Sequence, residues 1–474
     1  MRLIIYVGGN SMSKFINRRK ELETLRKEYN RKEASFVVIY GRRRVGKTSL
    51  IKEFCKDKRK IMFLATEESE NENRTAFKET VAEALDDSLL REAQINRWET
   101  IFERIAKECE SSKERLILVM DEFQYLGKAN PAFPSILMKI WDEKLKEQNI
   151  MLILCGSLIH MMKSQVLNYD SPLYGRRTAQ IKLQQIGFEH YKEFMPEETE
   201  DSQILHYAVT GGVPKYIELF QQAEDIYEGI KDNILSDTSF LYEEPTFLLQ
   251  KEVTEIGSYF TLLKTIAAGN HKLGKMAAVM EVKQTNLSKY LKTLMELDLV
   301  EREVPITEEN PEKSKKGLYI IKDNFIKFWF QFVYPNKGLL EAGREEFVYE
   351  KIKKNFIDNH VSYVYENICR EKLWSEQKLS HISFNRVGRF WGNQDVEIDI
   401  VAYDSFGNDM ILGECKYSVN PKGVDVLYSL EQKSIYVDWK KDGRKEYYCI
   451  FSRSGFTKEL LELAQKRENV ILIL

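Results

Sequence analysis

The stretch Gly41-Arg42-Arg43-Arg44-Val45-Gly46-Lys47-Thr48 constrains this chain more than any other, because its flanks leave few ways to fold it. Phe36-Val37-Val38-Ile39-Tyr40 ahead of it reads as a buried strand, and Ser49-Leu50-Ile51-Lys52-Glu53-Phe54 behind it opens a helix. A strand, a glycine-bounded turn and a helix in that order form a phosphate-binding loop. The glycines let the backbone curl its N–H groups around phosphate oxygens at a helix N-terminus, Lys47 adds a point charge, and Thr48 offers a hydroxyl to Mg²⁺. Gly41 to Ser49 are therefore the expected nucleotide-binding residues, and ATP with Mg²⁺ the expected ligand.

Strands alternating with helices continue beyond the loop, which argues for a parallel α/β sheet. Lys60-Ile61-Met62-Phe63-Leu64-Ala65 is a short apolar run. Leu116-Ile117-Leu118-Val119-Met120 is a second and ends in Asp121-Glu122. In that position after a phosphate-binding loop, Asp121 is expected to hold Mg²⁺ through water and Glu122 to act as general base on the attacking water. An acidic pair after a strand also suits a helix N-cap. Ile150 to Cys155 is a further strand, and Gly156-Ser157 after it sets a hydroxyl beside the γ-phosphate position or, equally, at the start of the next helix.

At 474 residues the chain is long enough for about three domains. Its net charge of -2 gives no global attraction to nucleic acid or to an anionic membrane, so any polyanion contact has to be local. The six cysteines, at 55, 109, 155, 369, 415 and 449, form no Cys-x-x-Cys pair and suggest neither zinc nor a disulfide framework; a cytoplasmic location is expected. No apolar run spans a bilayer. Leu318 to Pro335 is interrupted by Lys322, Asp323 and Lys327 and reads as an aromatic core segment. Residues 1–11 are expected to be a misassigned start or a disordered extension. The histidines, His360 and His381 included, form no ligand pair.

The middle of the chain has a helix-turn-helix outline. Ile256, Tyr259, Phe260, Leu263 and Ile266 recur at helical spacing, a short helix runs from Leu273 to Met280, and a third from Thr285 to Leu297. Strands at Leu299 to Pro305 and Leu318 to Ile321 are joined by a loop carrying Lys313, Lys315 and Lys316. This is the outline of a winged helix. Asn286, Ser288, Lys289 and Lys292 on its third helix suit contact with DNA, while Glu281, Glu296, Glu308, Glu309 and Glu312 dilute the charge and suit a lid or a protein contact.

Glu397 to Tyr403 and Ile411 to Tyr417 read as a hairpin. A symmetric turn about Phe406-Gly407 pairs residues whose numbers sum to 813, which sets Asp399 opposite Glu414 and Glu397 opposite Lys416 on one face. Two opposed carboxylates repel unless a cation sits between them, and a divalent metal resolves that conflict. Lys416 would then orient water or stabilise charge developing on phosphate. A solvated acidic face is the other way to read this pattern.

Phe15-Ile16-Asn17-Arg18-Arg19-Lys20-Glu21-Leu22, the phosphate-binding loop, Asp121-Glu122-Phe123-Gln124, Cys155-Gly156-Ser157 and Pro172-Leu173-Tyr174-Gly175-Arg176 together resemble the archaeal-type P-loop ATPases, which are AAA+-related and STAND-like. The resemblance covers residues 14 to about 225. It implies that Arg176 is a γ-phosphate sensor or finger, acting in its own chain or on a neighbour in a homo-oligomer; a surface ion pair is the alternative. Gly211-Gly212-Val213-Pro214 also resembles the family and reads as a tight turn. The Asp…Glu-x-Lys hairpin, with Trp391-Gly392 before it, resembles the PD-(D/E)XK nucleases, which implies a further glutamate, Glu366, from a helix at 356–373.

The expected architecture is a P-loop ATPase core (14–180), a helical lid (181–250), a winged helix (251–335) and a restriction-endonuclease-like α/β domain (345–474). The expected function is ATP hydrolysis coupled to action on DNA. A nucleotide-operated switch whose last domain binds without cutting is the alternative, and a protein-remodelling ATPase a third.

Overall fold

The computed structural model describes residues 15–392 and 396–474. They fall into two compact units, the first ending at Ile186 and the second spanning Gly187–Leu474. What was expected of residues 1–11 lies outside the described residues.

The first unit is built on five parallel strands: β1 (Ser35–Tyr40), β2 (Lys60–Leu64), β3 (Leu116–Asp121), β4 (Ile150–Gly156) and β5 (Ala179–Lys182). They lie in the order β2-β3-β4-β1-β5. Every residue of β1, β3 and β4 is buried, which explains their unbroken apolar runs: a parallel sheet is covered on both faces. On one face Val37, Ile39, Ile117, Val119, Met151 and Ile153 pack with Leu25 of helix α1 (Arg19–Tyr29) and with Leu50, Ile51 and Phe54 of α2 (Lys47–Phe54). Each such side chain contributes about 1.5–3 kcal/mol. On the other face Phe36 meets Trp141, ring centroids 5.1 Å apart. Because β4 lies between β1 and β3, the C-terminal ends of these three strands stand side by side, and the residues just after them share one edge of the sheet. Strand β5 was not expected, since its four residues Ala-Gln-Ile-Lys carry little pattern.

The second unit begins with helices, among them α3 (Glu200–Thr210) and α4 (Pro214–Phe220). Between them Gly211 turns with φ 56° and Pro214 opens α4, as the Gly-Gly-Val-Pro turn predicts. Helices α5 (Ile256–Ala267), α6 (Leu273–Val279) and α7 (Gln284–Glu296) follow, then the antiparallel pair β6 (Val300–Glu303) and β7 (Leu318–Ile321). The aromatic stretch after β7 contains α8 (Asn324–Phe328) and buries Phe325, Phe328, Trp329, Phe330 and Phe332. Among the described residues no helix is long and apolar enough to cross a membrane.

Helix α9 (Ser362–Lys372) leads into a five-stranded sheet of β8 (Arg386–Trp391), β9 (Glu397–Tyr403), β10 (Asp409–Lys416), β11 (Lys445–Ser452) and β12 (Val470–Ile473), in the order β12-β11-β10-β9-β8. Strands β8, β9 and β10 pair antiparallel, while β10, β11 and β12 run parallel. Helices α10 (Val424–Ser434) and α11 (Lys458–Lys466) supply Leu427, Leu430 and Leu460 to a core with Val401, Met410, Leu412, Tyr448 and Ile450. The hairpin register runs from Tyr403↔Met410 to Ile400↔Gly413, so every pair sums to the predicted 813.

Candidate functional sites

The phosphate-binding loop leaves β1 and closes into α2 as expected. Gly41 cannot be larger, because a Cβ there would stand 2.4 Å from the Leu183 carbonyl oxygen; Gly46 caps α2 at φ 94°. Lys47 is buried and its Nζ donates to the Gly41 and Arg42 carbonyls, each at 2.8 Å. Burial lowers its pKa, and the nearby Cys155, Glu122 and Asp121 oppose that shift. Thr48 Oγ1 donates to Asp121 Oδ2 at 2.9 Å, so the loop and the acidic strand end meet. A hydroxyl and a carboxylate side by side are hard oxygen donors, the set that suits Mg²⁺. Ser49 is exposed on the first turn of α2.

At the next strand end, Ser157 Oγ donates to Glu122 Oε2 at 2.7 Å. Phe123 N donates to the Cys155 carbonyl at 2.9 Å and ties the two strand ends together. Glu122 has φ 52°, a conformation uncommon outside glycine and one the surroundings must hold. Arg43 Nη2 donates to Tyr125 Oη at 2.9 Å. Arg176 is half-exposed and forms an ion pair with Asp142 at 2.9 Å, with a further hydrogen bond to the Pro172 carbonyl.

Two residues that carried no assigned role stand out. Gln124 is fully buried; its Nε2 donates to Glu122 Oε2 and reaches Ser157 Oγ at 3.5 Å. It fits because Gly156 has no side chain: a Cβ there would be 2.4 Å from Gln124 Oε1. Arg18, also buried, donates from Nη2 to the Val45 carbonyl at 3.0 Å and to the Gln184 carbonyl at 2.6 Å, and so clamps the loop from outside. Gln124 stands two residues after the acidic pair, a sequence signal for it, whereas the left-handed backbone of Arg18 ahead of α1 shows only in the structure.

The second candidate site lies where β9 and β10 part. Their ladder ends at Ile400↔Gly413, and just beyond it Asp399 Oδ2 accepts from Cys415 N at 2.8 Å. The face that carries Asp399 and Glu414 is apolar further along, at Val401 and Leu412, so the acids sit at the end of a buried face rather than on a solvated one. Lys416 takes Glu414 Oε1 at 2.7 Å, and Lys433 of α10 takes Oε2 at 2.9 Å. Glu397 was expected opposite Lys416, but it lies past the end of the ladder and accepts from Arg389 at 3.0 Å. Glu366 of α9 joins the group. Burial and then Asp399 raise its pKa to about 7, while burial and then Glu414 raise that of Asp399. Burial works to lower the pKa of Lys416, but Glu414 leaves it raised on balance.

Arg389, an unassigned residue on the edge strand, is the principal counter-charge: it faces Glu397, Glu303 at 3.5 Å and Glu366 at 3.8 Å. The carboxylates have the oxygen chemistry of a divalent-metal site. Among the described residues, however, no group of three or more such side chains is arranged to hold an ion, and both Glu414 oxygens are engaged by lysines.

In the helix-and-hairpin segment, Asn286, Ser288, Lys289 and Lys292 are exposed on α7, and Lys313, Lys315 and Lys316 on the β6–β7 loop. The base of that loop is docked on the C-terminal sheet. Ile306 N donates to the Arg389 carbonyl at 2.9 Å, and Trp391 Nε1 donates to the Lys316 carbonyl at 3.2 Å. This covers part of an edge strand that would otherwise offer unpaired backbone groups.

A family model described as an ATPase domain predominantly from Archaea matches residues 15–220, and one described as archaeal and bacterial proteins of unknown function matches residues 329–428. An uncharacterised protein of Methanocaldococcus jannaschii is 34% identical over 449 residues, which is 94% of this chain and 97% of that protein. An uncharacterised ATP-binding protein of the same organism is 51% identical over 45 residues, 10% of this chain and 76% of that protein. Among solved structures, the Walker-type ATPase of Pyrococcus abyssi is similar with a TM-score of 0.51 and 17% identity, covering 67% of this chain and 96% of that one.

Proposed function

The chain belongs to the archaeal-type P-loop ATPases, and we propose that it couples Mg²⁺-dependent ATP hydrolysis to the cutting of DNA at its C-terminal acidic site. In this reading the loop N–H groups and Lys47 hold the phosphates, and Thr48 and Asp121 hold the metal. Glu122 takes the proton of the attacking water while Ser157 and Gln124 fix its carboxylate. Arg176 is the finger that leaves Asp142 for the γ-phosphate. The segment from α5 to β7 is a winged helix that meets DNA through α7.

The observation that carries the DNA-cutting half is that half-buried Asp399 lies within electrostatic reach of both Glu366 and Glu414, which adds to the burial that raises the pKa of Glu366 and of Asp399, with Lys416 alongside. A divalent metal that displaced Lys416 and Lys433 from Glu414 would be held by Asp399 and Glu414 and would supply an activated water and charge neutralisation. The chain's own part is to hold the three carboxylates and to aim Lys416 at charge developing on phosphate. Purified protein incubated with ATP, Mg²⁺ or Mn²⁺ and mixed DNA substrates tests this when phosphate release and DNA length are read together. Asp399→Ala is expected to abolish cleavage and leave ATP hydrolysis within about twofold; unchanged cleavage rejects the assignment. In the same assay, hydrolysis by Arg176→Ala equal to wild type rejects the finger role.

One observation favours a second reading. Glu414 is held by two lysines and Glu366 faces Arg389, an arrangement that neutralises the acids without a metal. A nucleotide-operated switch that binds DNA without cutting it fits that arrangement, and salt-sensitive binding with intact DNA in the same incubation identifies it.

A further inference from the structure

Beside the acidic site the second unit encloses a cavity of about 420 Å³, within the size range of small-ligand pockets. Its walls come from the end of α5, from β7, from α8 and from α9, and Glu366 and Arg389 belong both to it and to the acidic site. Most of its charges are already matched: Arg389 serves Glu303, Glu366 and Glu397, and Arg370 also faces Glu303 at 3.5 Å. Lys327 is different. Among the described residues its ammonium forms no ion pair and lies 4.5 Å over the Tyr363 ring.

An ammonium largely withdrawn from water and held by no carboxylate at ion-pair distance is costly, and an incoming anion reduces that cost. Burial pushes the Lys327 pKa down to about 8 and the neighbouring Arg389 adds to the shift, while Glu366 and Glu303 oppose it from beyond ion-pair distance. A second group also lacks a partner: Gln331 Oε1 is buried with no donor among the described residues. Leu318 and Ile320 of β7 add apolar lining. One cation, one free acceptor and an apolar wall match a phosphate, an amine or hydroxyl donor and the face of a base.

We propose that this cavity is a nucleotide subsite, which takes one unpaired nucleotide of a DNA strand with its phosphate on Lys327 and its base against β7. The assignment rests on the reading of the acidic site as DNA-acting: Glu366 lines the cavity and neighbours Asp399, so the phosphodiester next along the strand would run toward the acidic site.

The test is calorimetric titration of the full chain, in the Lys47→Ala background and with EDTA, using a 5′-phosphorylated thymidine dinucleotide. Saturable binding is expected, weakened at least tenfold by Lys327→Gln and by Ala268→Glu. Ala268 is an exposed lining residue, so its replacement keeps the test valid if Lys327→Gln does not fold. No binding, or binding undiminished in both variants, overturns the subsite. Cleavage of longer DNA is read separately. Cleavage without dinucleotide binding overturns the subsite alone, whereas Lys327-dependent binding without cleavage upholds it and overturns the nuclease reading.

Discussion

The two candidate sites gather acidic side chains at the ends of strands and settle their charge in opposite ways. At the phosphate-binding loop, Asp121 and Glu122 accept from the hydroxyls of Thr48 and Ser157 and from the amide of Gln124, all neutral donors. In the C-terminal sheet, Glu414 is held by Lys416 and Lys433, and Glu366 and Glu397 face Arg389. Neutral donors orient a carboxylate and leave its charge for a cation or a proton. Ammonium and guanidinium partners cancel that charge, and a metal has to displace them. The first site thus leaves its carboxylate charge uncancelled by hydrogen-bond partners, and the second has its charge already matched.

The largest effect that sharpens this contrast is expected at Glu122. Glu122→Gln keeps an acceptor for Ser157 and Gln124 but loses the base, and is expected to lower ATP turnover by roughly a hundred- to a thousandfold with nucleotide binding retained. Turnover near wild type would mean that the neutral-donor site is not the hydrolytic one. A smaller effect is expected where the contrast is most exposed to failure. Lys433→Met frees one oxygen of Glu414 and is expected to tighten Mn²⁺ binding in the Lys47→Ala background about tenfold, or about 1.4 kcal/mol. Unchanged or weaker binding would show that Lys433 does not compete with metal.

A further effect concerns the frame of the second unit. His360 is fully buried, donates from Nε2 to the Ala208 carbonyl at 2.7 Å and stacks on Phe356, and burial lowers its pKa to about 3. The unfolded chain takes up a proton near pH 6.5 where the folded unit does not. Stability is therefore full above that pH and falls by about 1.4 kcal/mol per pH unit as pH drops toward 3. Hydrogen exchange in α9 between pH 7 and 5 measures this slope, and His360→Asn is expected to flatten it by one proton.

The same contrast decided what could be read in advance. The phosphate-binding loop was legible because it is carried by local backbone, a strand and a helix start with Gly41 where a Cβ would clash and Gly46 at a positive φ. The hairpin register was legible because a period of two and a symmetric turn fix it. The counter-ions were not. Lys433 reaches Glu414 from α10, and Arg389 meets Glu366 from an edge strand with little apolar pattern, so neither pairing has a local signature. The docking of Ile306 on β8 was hidden for the same reason, and so was β5 with its four residues. The nearness of Thr48 to Asp121 depends on β4 lying between their strands, which the order of motifs implied and only the sheet order displays.

Under the proposed coupling the nucleotide site governs the acidic one, and the ratio of DNA cleavage rates with and without ATP tests it most directly. The ratio is expected to exceed about tenfold in the wild-type chain, on the order of a 1.4 kcal/mol coupling, and to fall to one in Lys47→Ala. A wild-type ratio of one, with cleavage still lost in Asp399→Ala, would contradict it.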